Sequence, residues 1–428
     1  MDKQVFASVE ISGNEIRMIV GELFNNRFNI LFVKSLYTKG IENTIIINEE
    51  LVVNDLKTML DQVKNSLKVP LKKILVCIPS KDVERHLVKV KSKVENDLGI
   101  ITINEIETAI KKAVNAEVNT GSRVLVNAYC TKFHVNGMTT RKIPVDERCK
   151  EFYTDVDLYF ANRKSTIDII KLIEKSGLEI SSIFLDTYAC GKELMLFGQS
   201  LSNPVLMIKL EKDMTSLSIY ADGHLSNVRT LNLGFEDWYK EVYKKYQISE
   251  EDLIMLMLYG VDINSKKHKE TPIHVWHRND NIKYQMNEKE MYDLIIHDVS
   301  KWTDELLDIC EPILKNEKLN IIVVGAGAEI TNIDKYLTSK LDKEVKVYIP
   351  DIIGARNSKF TATLGVLFAY RDLSEYKLEY DNAFEMQEYV DLVKKIDEVE
   401  FNKTVKSKEK YKIKDIINVR KGEANGTK

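Results

Sequence analysis

Cysteine is scarce and scattered. The five in 428 residues (Cys77, Cys130, Cys149, Cys190 and Cys310) show no C-x-x-C spacing. That argues for a reducing compartment and against a disulfide framework or a structural zinc site. Long apolar runs are missing too. The longest, such as Leu253 to Tyr259, fall far short of the roughly 20 residues that cross a bilayer. The opening MDKQVFASVE has neither the apolar core nor the small-residue cleavage site of a secretory signal. The expected location is cytosolic, with any membrane contact peripheral. An excess of positive charge is also absent. The net charge is −3 and the pI about 6.3, so no global basic field points to nucleic acid, and none is expected as a partner. No Ser/His/Asp or Cys/His pairing stands out, and no catalytic residue is expected.

What is present is 30% charged and 44% hydrophobic residues, a composition suited to a soluble globular protein of two or more domains. Apolar alternation predicts three strands in a row, Val5–Ile11, Glu15–Glu22 and Phe28–Tyr37. A helix is expected over Glu49–Leu67, with Leu56, Leu60, Val63 and Leu67 on one stripe, and a buried strand over Lys73–Ile78, stopped by Pro79. From Pro204 the pattern begins again. Strands Val205–Leu210, Ser216–Tyr220 and Leu225–Asn232 precede a helix around Phe235–Tyr246. After a helical region comes strand Leu319–Val324, which ends in Gly325-Ala326-Gly327-Ala328 and is expected to enter a helix. Two halves that each open with a β-meander and close with strand-helix units form an internal repeat.

Residues from about His86 to Ile180 are more than the repeat needs. They read as a small α+β subdomain, with a helix over Asn104–Glu117, strands Arg123–Val135 and Phe152–Ala161, and a helix over Ser165–Gly177. Three stretches of it, VLVNAYCTKFHVNGMTTRKIPVDE, TDVDLYFANRKSTIDIIKLIEKSGLEI and IFLDTYACGKELM, resemble the subdomain peculiar to the FtsA-type actin-like cell-division proteins. VEISGNEIRMIVGE, IIVVGAGAEITNIDKYL and PDIIGARNSKFTATLGVLFAY extend the resemblance over roughly Val5 to Tyr370. It rests on the order and spacing of these stretches. It implies an α/β chain with the duplicated actin-like (actin/Hsp70/sugar-kinase) fold and an inserted α+β subdomain.

The expected division is as follows. Residues 1–86, 181–202 and 350–378 form the first actin-like subdomain, and 87–180 the insert. Residues 203–234 with 314–349 form the second actin-like subdomain, and 235–313 its upper part. A charged linker and basic tail fill 379–428. The resemblance further implies ATP with magnesium between the halves, self-association into protofilaments, docking of the FtsZ C-terminal tail on 235–313, and attachment to an anionic membrane through a C-terminal amphipathic segment.

The residues at the implied nucleotide site depart from the family pattern. Phosphate loops present backbone N–H groups to anionic oxygens, and glycine allows the close approach. In the first loop Glu10 stands for the family's Asp, Ser12 for its Gly and Glu15 for its basic residue, although Gly13 and Asn14 can still make the turn. The second loop's D-x-G-x-x-x-T falls on Lys209, Glu211 and Thr215. Two unit charges about 4 Å apart interact by roughly 4 kcal/mol at an effective dielectric near 20. A carboxylate facing a phosphate therefore weakens binding by orders of magnitude unless it turns away or a magnesium ion bridges Glu211, Asp213 and the phosphate. The nucleoside-contacting Glu and Lys of the family become Leu253 and Leu256. Only Gly325, Gly327 and Ala328 match, and a strand-to-helix turn favours glycine with or without a ligand. The expectation is a cleft held by Lys209, Glu211 and Lys212 rather than by ATP, in an actin-like scaffold that tethers FtsZ to the membrane. The alternatives are a working ATP-binding filament protein and an adaptor of another membrane machine such as pilus assembly.

Three further features belong to this reading. His274-Val275-Trp276-His277 has H-x-x-H spacing, but with Asp280 alone nearby the metal set is incomplete, so a partner surface or ordinary hairpin is expected. Asp186 lies where hydrolytic relatives keep an acid, and a helix-capping role is favoured for it. In the tail, YKIKDIINVRK sets Tyr411, Ile413, Ile416 and Ile417 beside Lys410, Lys412 and Lys414. Near an anionic membrane each basic residue adds about 1 kcal/mol, and polymerisation would strengthen so weak an anchor by avidity.

Overall fold

Every residue of the first strand except its first is buried, which places it in the middle of a sheet rather than at an edge. In the computed structural model, which describes residues 3–42, 45–117, 121–277 and 283–373, the first half consists of β1 (Gln4–Ser12), β2 (Glu15–Phe24), β3 (Arg27–Tyr37), the short pair β4 (Ile41–Glu42) and β5 (Ile45–Ile46), α1 (Glu49–Leu67) and β6 (Lys73–Ile78). The insert follows with β7 (Glu84–Lys93), α2 (Ile103–Ala116), β8 (Arg123–Val135), β9 (Met138–Thr140), β10 (Glu151–Asn162) and α3 (Arg163–Lys175). The chain then returns through β11 (Glu179–Leu185), α4 (Asp186–Glu193) and α5 (Leu196–Gln199).

The second half contains β12 (Val205–Leu210), β13 (Thr215–Ala221), β14 (His224–Leu231), α6 (Glu236–Tyr246) and α7 (Glu250–Met255). It continues with β15 (Pro272–His277), β16 (Lys283–Asn287), α8 (Glu288–Leu314), β17 (Asn320–Val324), α9 (Ile333–Leu341), β18 (Val345–Val347) and α10 (Thr361–Asp372). No helix among the described residues is long and apolar enough to cross a membrane. The expected tail residues Tyr411, Ile413, Ile416, Ile417, Lys410, Lys412 and Lys414 lie outside the described residues.

The two main sheets have one topology. The first runs β11-β6-β1-β2-β3 and the second β18-β17-β12-β13-β14. In each, an antiparallel meander is flanked by two parallel strands. This is the repeat of the actin-like fold. Because side chains alternate along a strand, β12 divides its residues between two cores. Leu206, Ile208 and Leu210 enter the second core, and Val205 and Met207 enter the first. The second sheet is thus clamped on both faces. Where α4 crosses α10, a Cβ at Gly365 would lie 1.9 Å from the Ala189 carbonyl oxygen, so the helices meet backbone to backbone.

The insert has its own core under α2, on a sheet ordered β7-β10-β8-β9. The alternation Glu84 to Lys93 did not register as a strand in the sequence, yet β7 pairs with β10 along its length. Its burial is shallow, so charged residues interrupt the apolar signal. A second difference follows β17. Residues Ala326–Glu329 form a single 3₁₀ turn, and α9 starts only at Ile333.

Candidate functional site

The meander turns of the two halves face each other, and between them lies a cluster of buried charges. Glu10 sits near the end of β1, Glu15 and Arg17 at the start of β2, Asp186 at the first position of α4, Lys209 on β12, and Glu211 just after it. Each is 3% exposed or less. Lys209 Nζ donates to Glu10 Oε1 at 2.7 Å and to Asp186 Oδ2 at 2.7 Å, and lies 3.6 Å from Glu211 Oε1. Arg17 grips Glu211 with both terminal nitrogens, at 2.9 and 2.7 Å, while its Nε donates to Glu15 at 2.7 Å. Lys359 Nζ completes the chain of pairs, donating to Glu15 at 2.9 Å and to the Ser35 hydroxyl at 2.7 Å. Lys209 and Glu211 belong to the second half, and their partners Glu10, Asp186 and Arg17 to the first. The cluster therefore ties the halves together.

Every member is also satisfied by hydrogen bonds, the condition for a buried ion network to be tolerated. Glu10 accepts from the Thr363 hydroxyl at 2.9 Å. Asp186 Oδ1 accepts from the backbone N–H of Ser80 and Thr187 at 2.9 and 2.6 Å, so it ties the start of α4 to the end of β6 and joins the ion cluster at once. The N-cap position itself is Leu185, without a side-chain cap, and the helix-capping role expected of Asp186 is not what it performs. Arg17 also donates to the Lys359 carbonyl at 2.9 Å. Burial works against ionising Glu15, but Arg17 and Lys359 outweigh it and hold the carboxyl at about 2. Burial likewise opposes the charge on Lys209, and Asp186, Glu10 and Glu211 overcome it, raising the amine well above its ordinary value. Arg17 is raised in the same way by Glu15 and Glu211 against its burial.

Around the cluster the residues singled out in the sequence fall into three groups. Gly13 turns in the left-handed region at φ +56, where Asp213 sits so close that a Cβ would lie 2.6 Å from its Oδ1. Ser12 and Asn14 flank this turn, and Asn14, Asp213, Lys212 and Glu250 border a polar cavity of about 150 Å³. The Asp213 oxygens are buried without a hydrogen-bond donor of good geometry among the described residues. Burial pushes its carboxyl upward, with its own backbone N–H in partial opposition.

The second group is the glycine turn after β17. Gly325, at φ +92, could not carry a Cβ without meeting the Leu210 carbonyl at 2.6 Å and Glu211 Oε1 at 3.0 Å, and one at Gly327 would strike Leu210 Cγ at 2.3 Å. These glycines are demanded by the chain's own packing. Ala328, buried behind them, closes the turn through its N–H to the Gly325 carbonyl at 3.1 Å.

The third group lies away from the cluster. Leu253 and Leu256 are buried in the second core. Thr215 donates to the Leu233 carbonyl at 2.7 Å and accepts from Trp302 Nε1 at 2.9 Å, so its hydroxyl is fully engaged. Lys212 was expected to bridge the halves, but its ion pairs, with Glu236 at 3.4 Å and with Glu250, stay inside the second half. Toward the first half it lies 5.7 Å from the Tyr37 ring centroid. Away from the cleft, His274 stacks on Trp276 at 5.5 Å, and Trp276 stacks on Tyr284 at 5.8 Å. Sequence reasoning missed Arg17 and Lys359. The available signal for Arg17 was an arginine inside an otherwise apolar strand.

No family model matches the chain. It is 19% identical over 404 residues to the cell division protein FtsA of Staphylococcus epidermidis, spanning 91% of this chain and 85% of that one. It is also 19% identical over 378 residues to FtsA of Bacillus subtilis, spanning 87% and 84%. The resemblance is to FtsA. Of solved structures, the PilM-PilN type IV pilus biogenesis complex matches with a TM-score of 0.58 at 12% identity, covering 87% of this chain and 98% of the other. MreB5 of Spiroplasma citri bound to ADP matches at 0.50 and 13%, covering 88% and 99%. These two place the fold among actin-like ATPase folds. The FtsA likeness covers both halves and the insert, as the six stretches quoted from the sequence implied.

Proposed function

We propose that this chain is an actin-like scaffold of cell division whose inter-half cleft is held by its own ion cluster instead of by ATP. The observation that carries the reading is Glu211. Its carboxylate is gripped by Arg17 and approached by Lys209, and it lies 3.5 Å from the Ala326 N–H. An internal anion thus stands beside the turn where a nucleotide phosphate would need cations and free backbone donors. The residues do not fit a triphosphate. Bringing one in would either set phosphate against Glu15, Glu211 and Asp213, or require a network buried on all sides to open.

A cleft closed in this way favours a fixed adaptor over a nucleotide-driven switch. The FtsA relatives carry the name of cell division proteins, which supports self-association, recognition of the FtsZ tail by residues 235–313, and attachment to the cytoplasmic face of an anionic membrane through the basic tail. Within 235–313, the stacked His274, Trp276 and Tyr284 are half-buried, and Trp276 packs against the second core.

The test is calorimetric titration of ATP with magnesium into the full chain, with co-sedimentation against FtsZ and against vesicles containing anionic lipid. The expected result is no saturable ATP heat, with FtsZ and vesicles both pelleting the protein. Micromolar, magnesium-dependent ATP binding refutes the closed cleft. Failure to pellet with FtsZ refutes the scaffold role.

A further inference from the structure

The chain passes between the halves twice, at 200–204 on the way from α5 to β12 and at 348–360 on the way from β18 back to α10. Any rotation of one half against the other bends both crossings. A hydrogen bond spans the halves here, away from the ion cluster. Glu193, the last residue of α4, accepts from the Tyr348 hydroxyl at 3.0 Å. Its helix begins with Asp186 of the ion cluster and packs backbone to backbone on α10 in the first half. Tyr348 opens the second crossing and donates its backbone N–H to the Val323 carbonyl of β17, in the second half, at 3.0 Å.

The Glu193 carboxyl sits where charge is costly. The residue is 9% exposed, and its Oε2 is buried with no hydrogen-bond partner among the described residues, whereas buried polar atoms normally have one. Of the groups around it, Tyr348 donates, and Asp351, exposed in the second crossing, brings a like charge. Arg356 is turned to the Asp351 carbonyl at 3.3 Å. The cation of its own helix, Lys192, is taken at 2.9 Å by Asp372 of α10, which Arg371 also holds at 2.8 Å. Cys190, earlier on α4, is buried, and its thiol is pushed well above its ordinary value. Burial, opposed by Tyr348 and helped by Asp351, thus pushes Glu193 up to about 7. Protonated, Glu193 keeps the Tyr348 bond without a buried charge. Ionised, it leaves a charged oxygen without a donor, which water reaches when the two segments part. The closed arrangement therefore binds the proton more tightly than the open one. Its hold is full below the ordinary carboxylate value and is lost as pH rises from there through about 7.

We propose that Glu193 and Tyr348 form a proton-operated clasp over the hinge between the halves, which holds the second crossing against α4 when Glu193 is protonated and releases it when Glu193 ionises. The clasp stands whether or not the cleft takes ATP. Hydrogen–deuterium exchange of the full chain tests it, with wild type and Glu193→Gln compared at the same pH so that the intrinsic pH dependence of exchange cancels. The ratio of wild-type to variant exchange in 348–357 is expected to be small at pH 5 and at least about tenfold larger at pH 8. In α1 and the β8–β9 hairpin it is expected to stay the same at both. Asp351→Asn, at an exposed position, removes the like charge and is expected to shrink the rise. A ratio in 348–357 that does not rise with pH overturns the clasp. So does a rise that Asp351→Asn leaves unchanged. A rise shared equally by α1 and the hairpin overturns it too, because Glu193 then burdens the whole fold rather than the hinge.

Discussion

Replacing Lys209 by methionine tests the ion cluster most directly. Methionine keeps the volume and removes the charge, so little of the effect comes from an empty cavity. Wild-type Lys209 stands among Glu10, Asp186 and Glu211 at 2.7, 2.7 and 3.6 Å, its side chain 3% exposed. Without it, Glu10, Glu15, Asp186 and Glu211 are left with only Arg17 and Lys359. Breaking a buried pair by removing one partner costs about 3–5 kcal/mol. Against a typical folding stability of about 5–15 kcal/mol, that loss is large.

Lys209 is raised above its free value, so its contribution is fully present below the free lysine pKa and is lost only as pH climbs through the folded value. Neutral pH is therefore the right place to measure it. Equilibrium urea unfolding followed by the fluorescence of the buried Trp238 and Trp302 reports the difference. Acidification should narrow the gap between variant and wild type, because protons then neutralise the surplus carboxylates. A destabilisation below about 1 kcal/mol, or a gap that widens toward pH 5, refutes the view that this network holds the halves together.

Arg17→Met and Glu211→Met should each destabilise, whereas the double variant, which removes one charge of each sign, should recover part of the loss. A coupling of at least about 1.5 kcal/mol in a double-mutant cycle is expected. Burial, partly opposed by the Tyr348 hydroxyl and helped by Asp351, pushes Glu193 up to about 7. Since the folded state binds the extra proton, wild-type stability falls as pH rises through that value. Glu193→Gln should match wild type near pH 5 and exceed it by roughly 2–3 kcal/mol at pH 8.5 in urea melts. Gly365→Ala drives a methyl into the Ala189 carbonyl and should cost about 2 kcal/mol or more, read as a lower unfolding midpoint.

Much of the fold was legible because its signals are local. The stripe of Leu56, Leu60 and Val63 marked α1 with the bounds the structure has, Glu49–Leu67, and the continuous apolar runs of β6 and β12 marked strands buried on both faces. The strand β7 was not legible, since a half-exposed strand rich in lysine carries no clear period. At the site, the sequence revealed which positions break the phosphate-loop pattern, because that reading needs only the order of residue types. It could not reveal what replaces the pattern.

Lys209 pairs with Glu10 across 199 positions and Glu211 with Arg17 across 194, distances over which no periodicity carries information. Lys212, next door to Glu211, was expected in the same network and instead makes its ion pairs within the second half. By itself the sequence determined the strands with a clear apolar period and the repeat they form, because near neighbours along the chain set helix and strand periods. The tertiary structure decided which charges meet, because only the approach of two folded halves buries a lysine, an arginine and four acids together, where each must find its counter-charge.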